Sequence, residues 1–211
     1  MKNDFIPDAG DLNLRFDNRL DPLLEEIADK IINCTKCPLA ESRINAVPGE
    51  GPQHATVMMV GEAPGAKEDE TGRPFVGQSG QLLSDTMKEA GLKREDVFIT
   101  SILKCRPPDN RDPKPDEVRT CAPYTLAQLD SLSPIVTITL GNAAYELFSS
   151  TFYLPKKKVG EVRGKVFRLH STGARFLIPT YHPAGVIYNR KLIPQLRQDL
   201  ETAVKYLKMN P

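Results

Sequence analysis

Residues 56–77 read TVMMVGEAPGAKEDETGRPFVG, an unbroken apolar run that gives way at once to glycine and proline. A run with no alternating polar residues fits a strand covered on both faces, which is the habit of parallel sheets. Gly61, Pro64 and Gly65 then give a sharp turn at the strand's carboxyl end, with backbone amides able to face a ligand. No Gly-Lys-Ser/Thr follows, so the turn is not a P-loop. An ordinary strand–helix turn has the same composition, and the glycines alone do not settle a function.

Outward from Thr56–Val60, three more runs of this kind occur at Val97–Leu103, Ile135–Leu140 and Arg175–Pro179. Helical spacing of apolar residues fills the intervals at Gln78–Ala90, Pro115–Leu132 and Asn142–Phe148, and a last helix is expected over Ile193–Lys208. An earlier helix is expected from Pro22, capped by Asp21, with Leu23, Leu24, Ile27 and Ile31 on one face, ending near Cys34 and Cys37. Strands alternating with helices predict an α/β fold, a parallel sheet sandwiched between helices. Ligands of such sheets bind at the carboxyl ends of the strands.

The chain has 211 residues, 40% of them hydrophobic and 26% charged, as in ordinary globular domains. One domain over 22–211 is expected, after a polar, acidic and loose segment over 1–21. No stretch approaches the roughly 18 apolar residues of a membrane span, and the N-terminus lacks a signal-peptide core. A cytoplasmic protein is expected. The net charge of +1 conceals an asymmetry: Met1 to Asp29 holds eight acids against three bases, while Lys156 to Lys191 holds nine bases and a single acid, Glu161. One-sided clustering of this sort is the footprint of a polyanion contact, although a solvated basic face has the same composition.

Four cysteines, Cys34, Cys37, Cys105 and Cys121, stand in a C-x2-C … C-x15-C pattern. In a cytosolic chain an even count points to a metal or cluster rather than to disulfides. Four thiolates suit zinc or iron–sulfur alike. Structural zinc sites usually come from two close pairs, and here the second pair is wide, which favours a cluster without deciding it. Two further residues stand out. Phe75, held between Pro74 and Val76-Gly77, is either a core aromatic or a ring over a pocket. His182 follows the fourth run in Thr180-Tyr181-His182-Pro183-Ala184-Gly185; a lone histidine is more often structural, but this placement favours chemistry.

Taken together, GEAPGAKEDETGRPFVGQSGQLL from Gly61, KCRPPDNRDPKPDE from Lys104, LGNAA from Leu140 and PTYHPAG from Pro179 resemble the family 4 uracil-DNA glycosylases. The cysteine spacing is similar too, and the resemblance covers roughly residues 25 to 208. It implies a three-layer α/β/α sandwich with a central four-stranded parallel sheet. It also implies a [4Fe–4S] cluster on Cys34, Cys37, Cys105 and Cys121, and hydrolysis of the uracil–deoxyribose bond in single- or double-stranded DNA by a monomer.

By the same resemblance, a flipped uracil stacks on Phe75, His182 meets uracil O2, and backbone amides of the turn at Gly61 are further donors. Val186, Ile187 and Tyr188 are expected to wedge into the DNA stack, with phosphates held by Lys156–Arg168, Arg190 and Lys191. Ala63 stands where family 1 enzymes carry an acidic general base, so the water falls to Glu62, Glu68 or Asp69. Ser101 stands where family 4 generally has asparagine reading the uracil edge, and a hydroxyl cannot donate and accept as an amide does. A related group links covalently to DNA through a histidine in a basic loop; no such histidine follows Pro108. The alternatives are a non-catalytic iron–sulfur protein that senses lesions, a glycosylase shifted to another deaminated base, and a zinc-stabilised structural module.

Overall fold

The computed structural model describes residues 24–169 and 175–210. The expectations for the segment over 1–21, and for a helix start at Asp21 and Pro22, lie outside the described residues.

The elements run α1 (Leu24–Ile32), α2 (Leu39–Ser42), β1 (Val57–Gly61), α3 (Ala66–Thr71), α4 (Gln78–Ala90), β2 (Val97–Ser101) and α5 (Pro115–Leu132). They continue β3 (Val136–Leu140), α6 (Asn142–Thr151), α7 (Val159–Val162), β4 (Phe167–Arg168), β5 (Phe176–Thr180), α8 (Pro183–Tyr188) and α9 (Ile193–Met209). The sheet order is β2-β1-β3-β5-β4. Four strands are parallel, as expected, and a fifth, two-residue strand adds antiparallel to β5. A two-residue edge strand has too little pattern to be read from sequence.

Alternation along each strand divides the interior into two cores. Met58, Val60, Phe98 and Leu177 pack with α1, α5 and α6 on one face. Val57, Met59, Ile99 and Ile178 pack with α4 and α9 on the other. Burial on both sides is why these runs are continuously apolar. The chain leaves β1 for β2 on one side and later reaches β3 on the other, so the strand order reverses between β1 and β3. A crevice opens outside the carboxyl ends at such a switch point.

Candidate active site

A cleft of about 520 Å³ occupies this crevice, and Glu62, Ala63, Phe75, Ser101, His182 and Tyr188 all line it. They come from the ends of three strands and the loops that follow, from positions as far apart as 62 and 188 in the chain.

Phe75 owes its place to two glycines. Its own φ of +50° is unusual for a side-chain-bearing residue. A Cβ on Gly80 would lie 1.9 Å from the Phe75 carbonyl oxygen, and one on Gly61 would lie 2.5 Å from the ring. The loop is tied down by Glu68, whose Oε1 accepts from the backbone N–H of Val76 (2.9 Å) and Gly77 (2.8 Å) and whose Oε2 accepts from Gly65 N–H (3.1 Å). Glu68 lines the cleft, and its three bonds to backbone N–H groups let it position the Phe75 loop. Asp69 turns away from the cleft and accepts from the N–H groups of Ile44 and Asn45. Glu62 also lines the cleft, and among the described residues its carboxylate has no hydrogen-bond partner. Burial, with the negative charge of Asp112 beside it, raises the Glu62 carboxyl above the usual carboxylate range.

His182 caps α8: its Nδ1 accepts from Ala184 N–H at 3.1 Å. An acceptor at Nδ1 places the proton of the neutral ring on Nε2. Burial lowers the ring's pKa to about 4, with Glu68 opposing the shift, so the ring is neutral at pH 7. Its centroid lies 5.7 Å from that of Phe75. The two rings and Ser101 thus line one cleft, with a neutral N–H donor available to a developing negative charge.

The helix after His182 corrects one expectation. Val186 is fully buried, because α8 turns it inward against α4, so it is not a wedge. Tyr188 is 92% exposed at the rim, and Ile187 is half-buried. The short apolar run Val186-Ile187-Tyr188 does not by itself reveal the helical turn that sends its first residue inward and its last outward. Arg190, Lys191 and Lys156 to Lys158 are exposed. Arg163 is a second correction: it grips the buried Asp199 through two nitrogens and is no free phosphate contact. Asp199 also accepts from Thr180 Oγ1 at 2.6 Å, which ties the end of β5 to α9 just before His182. These partners lie 36 and 19 positions apart, and no local signal reveals them.

On the opposite core, Cys34, Cys37, Cys105 and Cys121 line one small cavity with Lys104 and Tyr124. The thiols stand around its wall; among the described residues no group of three or more His, Cys, Asp or Glu closes on a point as for a single metal ion. Arg43 Nη1 donates to Cys105 Sγ at 3.0 Å, and Lys104 N–H donates to Cys121 Sγ at 3.3 Å. Burial pushes the Cys121 thiol up to about 11, so a bound cation is what would make it a thiolate at neutral pH. Soft donors, N–H groups aimed at sulfur and a shared cavity fit an iron–sulfur group. The buried Lys104 Nζ donates to Thr100 Oγ1, to Ser101 O and to Gln128 Oε1, joining this region to the end of β2.

Comparison with known proteins decides the family. The family model of the uracil DNA glycosylase superfamily matches residues 48–208. The chain belongs to the uracil DNA glycosylase superfamily. Within that superfamily it is 44% identical over 190 residues to the type-4 uracil-DNA glycosylase of Saccharolobus solfataricus, covering 89% of this chain and 88% of that one. It is 45% identical to the type-4 enzyme of Pyrobaculum aerophilum, over 84% of this chain and 91% of the relative. The type-4 enzyme of Thermotoga maritima is 39% identical, over 88% and 95%. The superfamily match begins at residue 48 and so takes in Cys105 and Cys121, while Cys34 and Cys37 precede it.

Proposed function

We propose that this protein removes uracil from DNA by hydrolysing the N-glycosidic bond, leaving an abasic site. The observation that carries the reading is the convergence on one cleft of the Phe75 ring, the Ser101 hydroxyl and a neutral His182 whose Nε2 carries the proton.

A base within a duplex is out of reach, so the nucleotide is flipped into the cleft. There the base lies on Phe75, a contact worth about 1–3 kcal/mol. Its O2 accepts from His182 Nε2–H, and its far edge faces Ser101. The bond breaks with its electron pair going to the base, leaving an oxocarbenium-like sugar and a uracilate anion. The neutral imidazole stabilises that anion without itself giving up a proton. Glu62, its pKa raised by burial, orients the water and takes a proton as oxygen bonds to C1′. Tyr188 and Ile187 enter the gap left in the stack, and Lys156 to Lys158, Arg190 and Lys191 hold phosphates.

Cys34, Cys37, Cys105 and Cys121 would hold a [4Fe–4S] cluster. That group supplies a structural cross-link when bound, and the residues of the cleft carry the chemistry. The protein is read as a cytoplasmic monomer with DNA as its partner.

The test is a gel assay for abasic sites in a single-uracil oligonucleotide, single- and double-stranded. Strand scission after alkali is the expected result, and binding without scission would turn the reading to a lesion-sensing protein. The cluster is checked separately by absorption near 400 nm in freshly purified protein. Cys121→Ala should lose that band together with folded yield. A colourless, well-folded variant with full activity would remove the cluster from the account.

A further inference from the structure

We propose that the cleft accepts deaminated bases as a class, taking hypoxanthine and xanthine as well as uracil, and that Ser101 sets this breadth by leaving the floor deep. The inference rests on the glycosylase reading above and specifies its substrate range.

Ser101 ends β2 and is 5% exposed. Its backbone is pinned, since its carbonyl oxygen accepts from Lys104 Nζ at 2.8 Å and from Thr125 Oγ1 at 3.2 Å. Its hydroxyl has no hydrogen-bond partner among the described residues and lines the cleft, 3.2 Å from where a Gly61 Cβ would be and beside the Phe75 ring. A single hydroxyl donates or accepts as the partner requires, and it rotates to do so. It can meet a ring carbonyl, but it cannot fix a donor and an acceptor at the same time.

Depth is the second consequence. The Watson–Crick edge of a purine lies farther from its glycosidic nitrogen than that of a pyrimidine. With the sugar held at the mouth, a short side chain at 101 leaves room for a two-ring base to reach the hydroxyl, in a cleft of about 520 Å³. Uracil, being shorter, meets the same hydroxyl through a water, which costs little.

Leaving-group chemistry then limits what is cut. The C1′–N bond breaks with both electrons on the base nitrogen, water oxygen bonds to C1′, and the proton released passes through Glu62 to solvent or to the departing base. Hypoxanthine and xanthine, like uracil, are lactams that spread the negative charge onto carbonyl oxygen. Cytosine and adenine carry an amino group in place of that edge carbonyl and hold the anion less well. Selection by anion stability, with a permissive edge, defines the deaminated bases.

The experiment measures single-turnover excision of U, hypoxanthine, xanthine and C from oligonucleotides by the parent, Ser101→Asn and Ser101→Ala. A fully paired polar site rejects a wrong partner by about 10⁴–10⁵-fold, so a parent U-to-hypoxanthine ratio below about 10³ marks the permissive floor. Ser101→Asn fills the floor with a longer amide and should raise that ratio at least tenfold, while Ser101→Ala keeps the depth and should leave the ratio unchanged as all rates fall together. A parent that removes uracil but neither purine overturns the inference and leaves the glycosylase reading standing. So does a correctly folded Ser101→Asn, by circular dichroism, with an unchanged ratio. A parent that excises no base at all brings down both.

Discussion

At the scale of single residues, His182 shows how a backbone contact fixes a chemical role. Because Nδ1 is occupied by Ala184 N–H, the ring's one proton is on Nε2, and burial keeps the ring neutral until the pH falls to about 4. The sign is opposite to that of a histidine acting as an acid. A lowered pKa means the neutral ring, with Nδ1 accepting and Nε2–H donating, persists from alkaline pH down through 6.5, the ordinary value, to about 4. Glu62 has the reverse shift, a carboxyl raised by burial, and as a base it must be ionised. The acid limb of the excision rate should therefore follow Glu62, with a plateau across pH 6.5 where an ordinary histidine would titrate. In single-turnover measurements Glu62→Gln should remove that limb and slow the reaction. His182→Ala should cost about 10²–10³-fold in rate with DNA affinity preserved. A break at pH 6.5 in the parent would show an imidazole that charges, and the reading of His182 as a neutral donor would go with it.

Among elements, the sheet explains both what sequence shows and what it conceals. Helices α4 and α5 begin and end where their spacing, glycines and prolines put them, at Gln78–Ala90 and Pro115–Leu132. The four parallel strands are legible because burial on both faces leaves a continuous apolar signature. Phe75 and His182 are legible as candidates because one stands in a proline- and glycine-flanked loop and the other just beyond a strand end, while Ser101 is legible only through the family resemblance. What remains illegible depends on long-range pairing: Glu68 as a bracket for the Phe75 loop, Asp199 against Arg163, and the inward turn of Val186. The sheet also carries a defect. Among the described residues, the hydroxyls of Thr137 and Thr139 in β3 are buried with no hydrogen-bond partner. Both alternate with Val136, Ile138 and Leu140 and so face the core beneath α6. A hydroxyl deprived of water and partner is unfavourable, and an apolar group of the same shape removes the penalty. Thr137→Val and Thr139→Val should each raise stability by about 1 kcal/mol, visible as a higher urea midpoint at an unchanged slope. Loss of stability in both variants would mean that those hydroxyls have a partner, such as a buried water.

Over the whole molecule, the charge asymmetry of the sequence divides into two kinds of cation once the fold is known. Lys156, Lys157 and Lys158 are exposed ahead of α7, and Val159 N–H donates to Asn142 Oδ1 at 2.8 Å, which holds this segment at the carboxyl end of β3, on the side of the cleft. Arg163, only a few positions further on, is 20% exposed and is committed to Asp199, itself 1% exposed. The same substitution should therefore have different effects at the two places. Replacing the three lysines with alanine should weaken binding evenly across DNA sequences. It should also flatten the dependence of log affinity on log salt by about one unit for each phosphate that is no longer neutralised. Folding should hardly change, since exposed charges contribute little. Arg163→Ala should leave the salt slope as it is and destabilise the fold by about 3–5 kcal/mol, because it strands a buried carboxylate. Thr180 and the entry to His182 hang from that carboxylate, so the excision rate should fall as well. Salt titrations by fluorescence anisotropy, paired with urea unfolding of both variants, separate the two outcomes. A reduced slope in Arg163→Ala with unchanged stability would return that arginine to the DNA surface. An unchanged slope in the triple-lysine variant would take the segment ahead of α7 out of it.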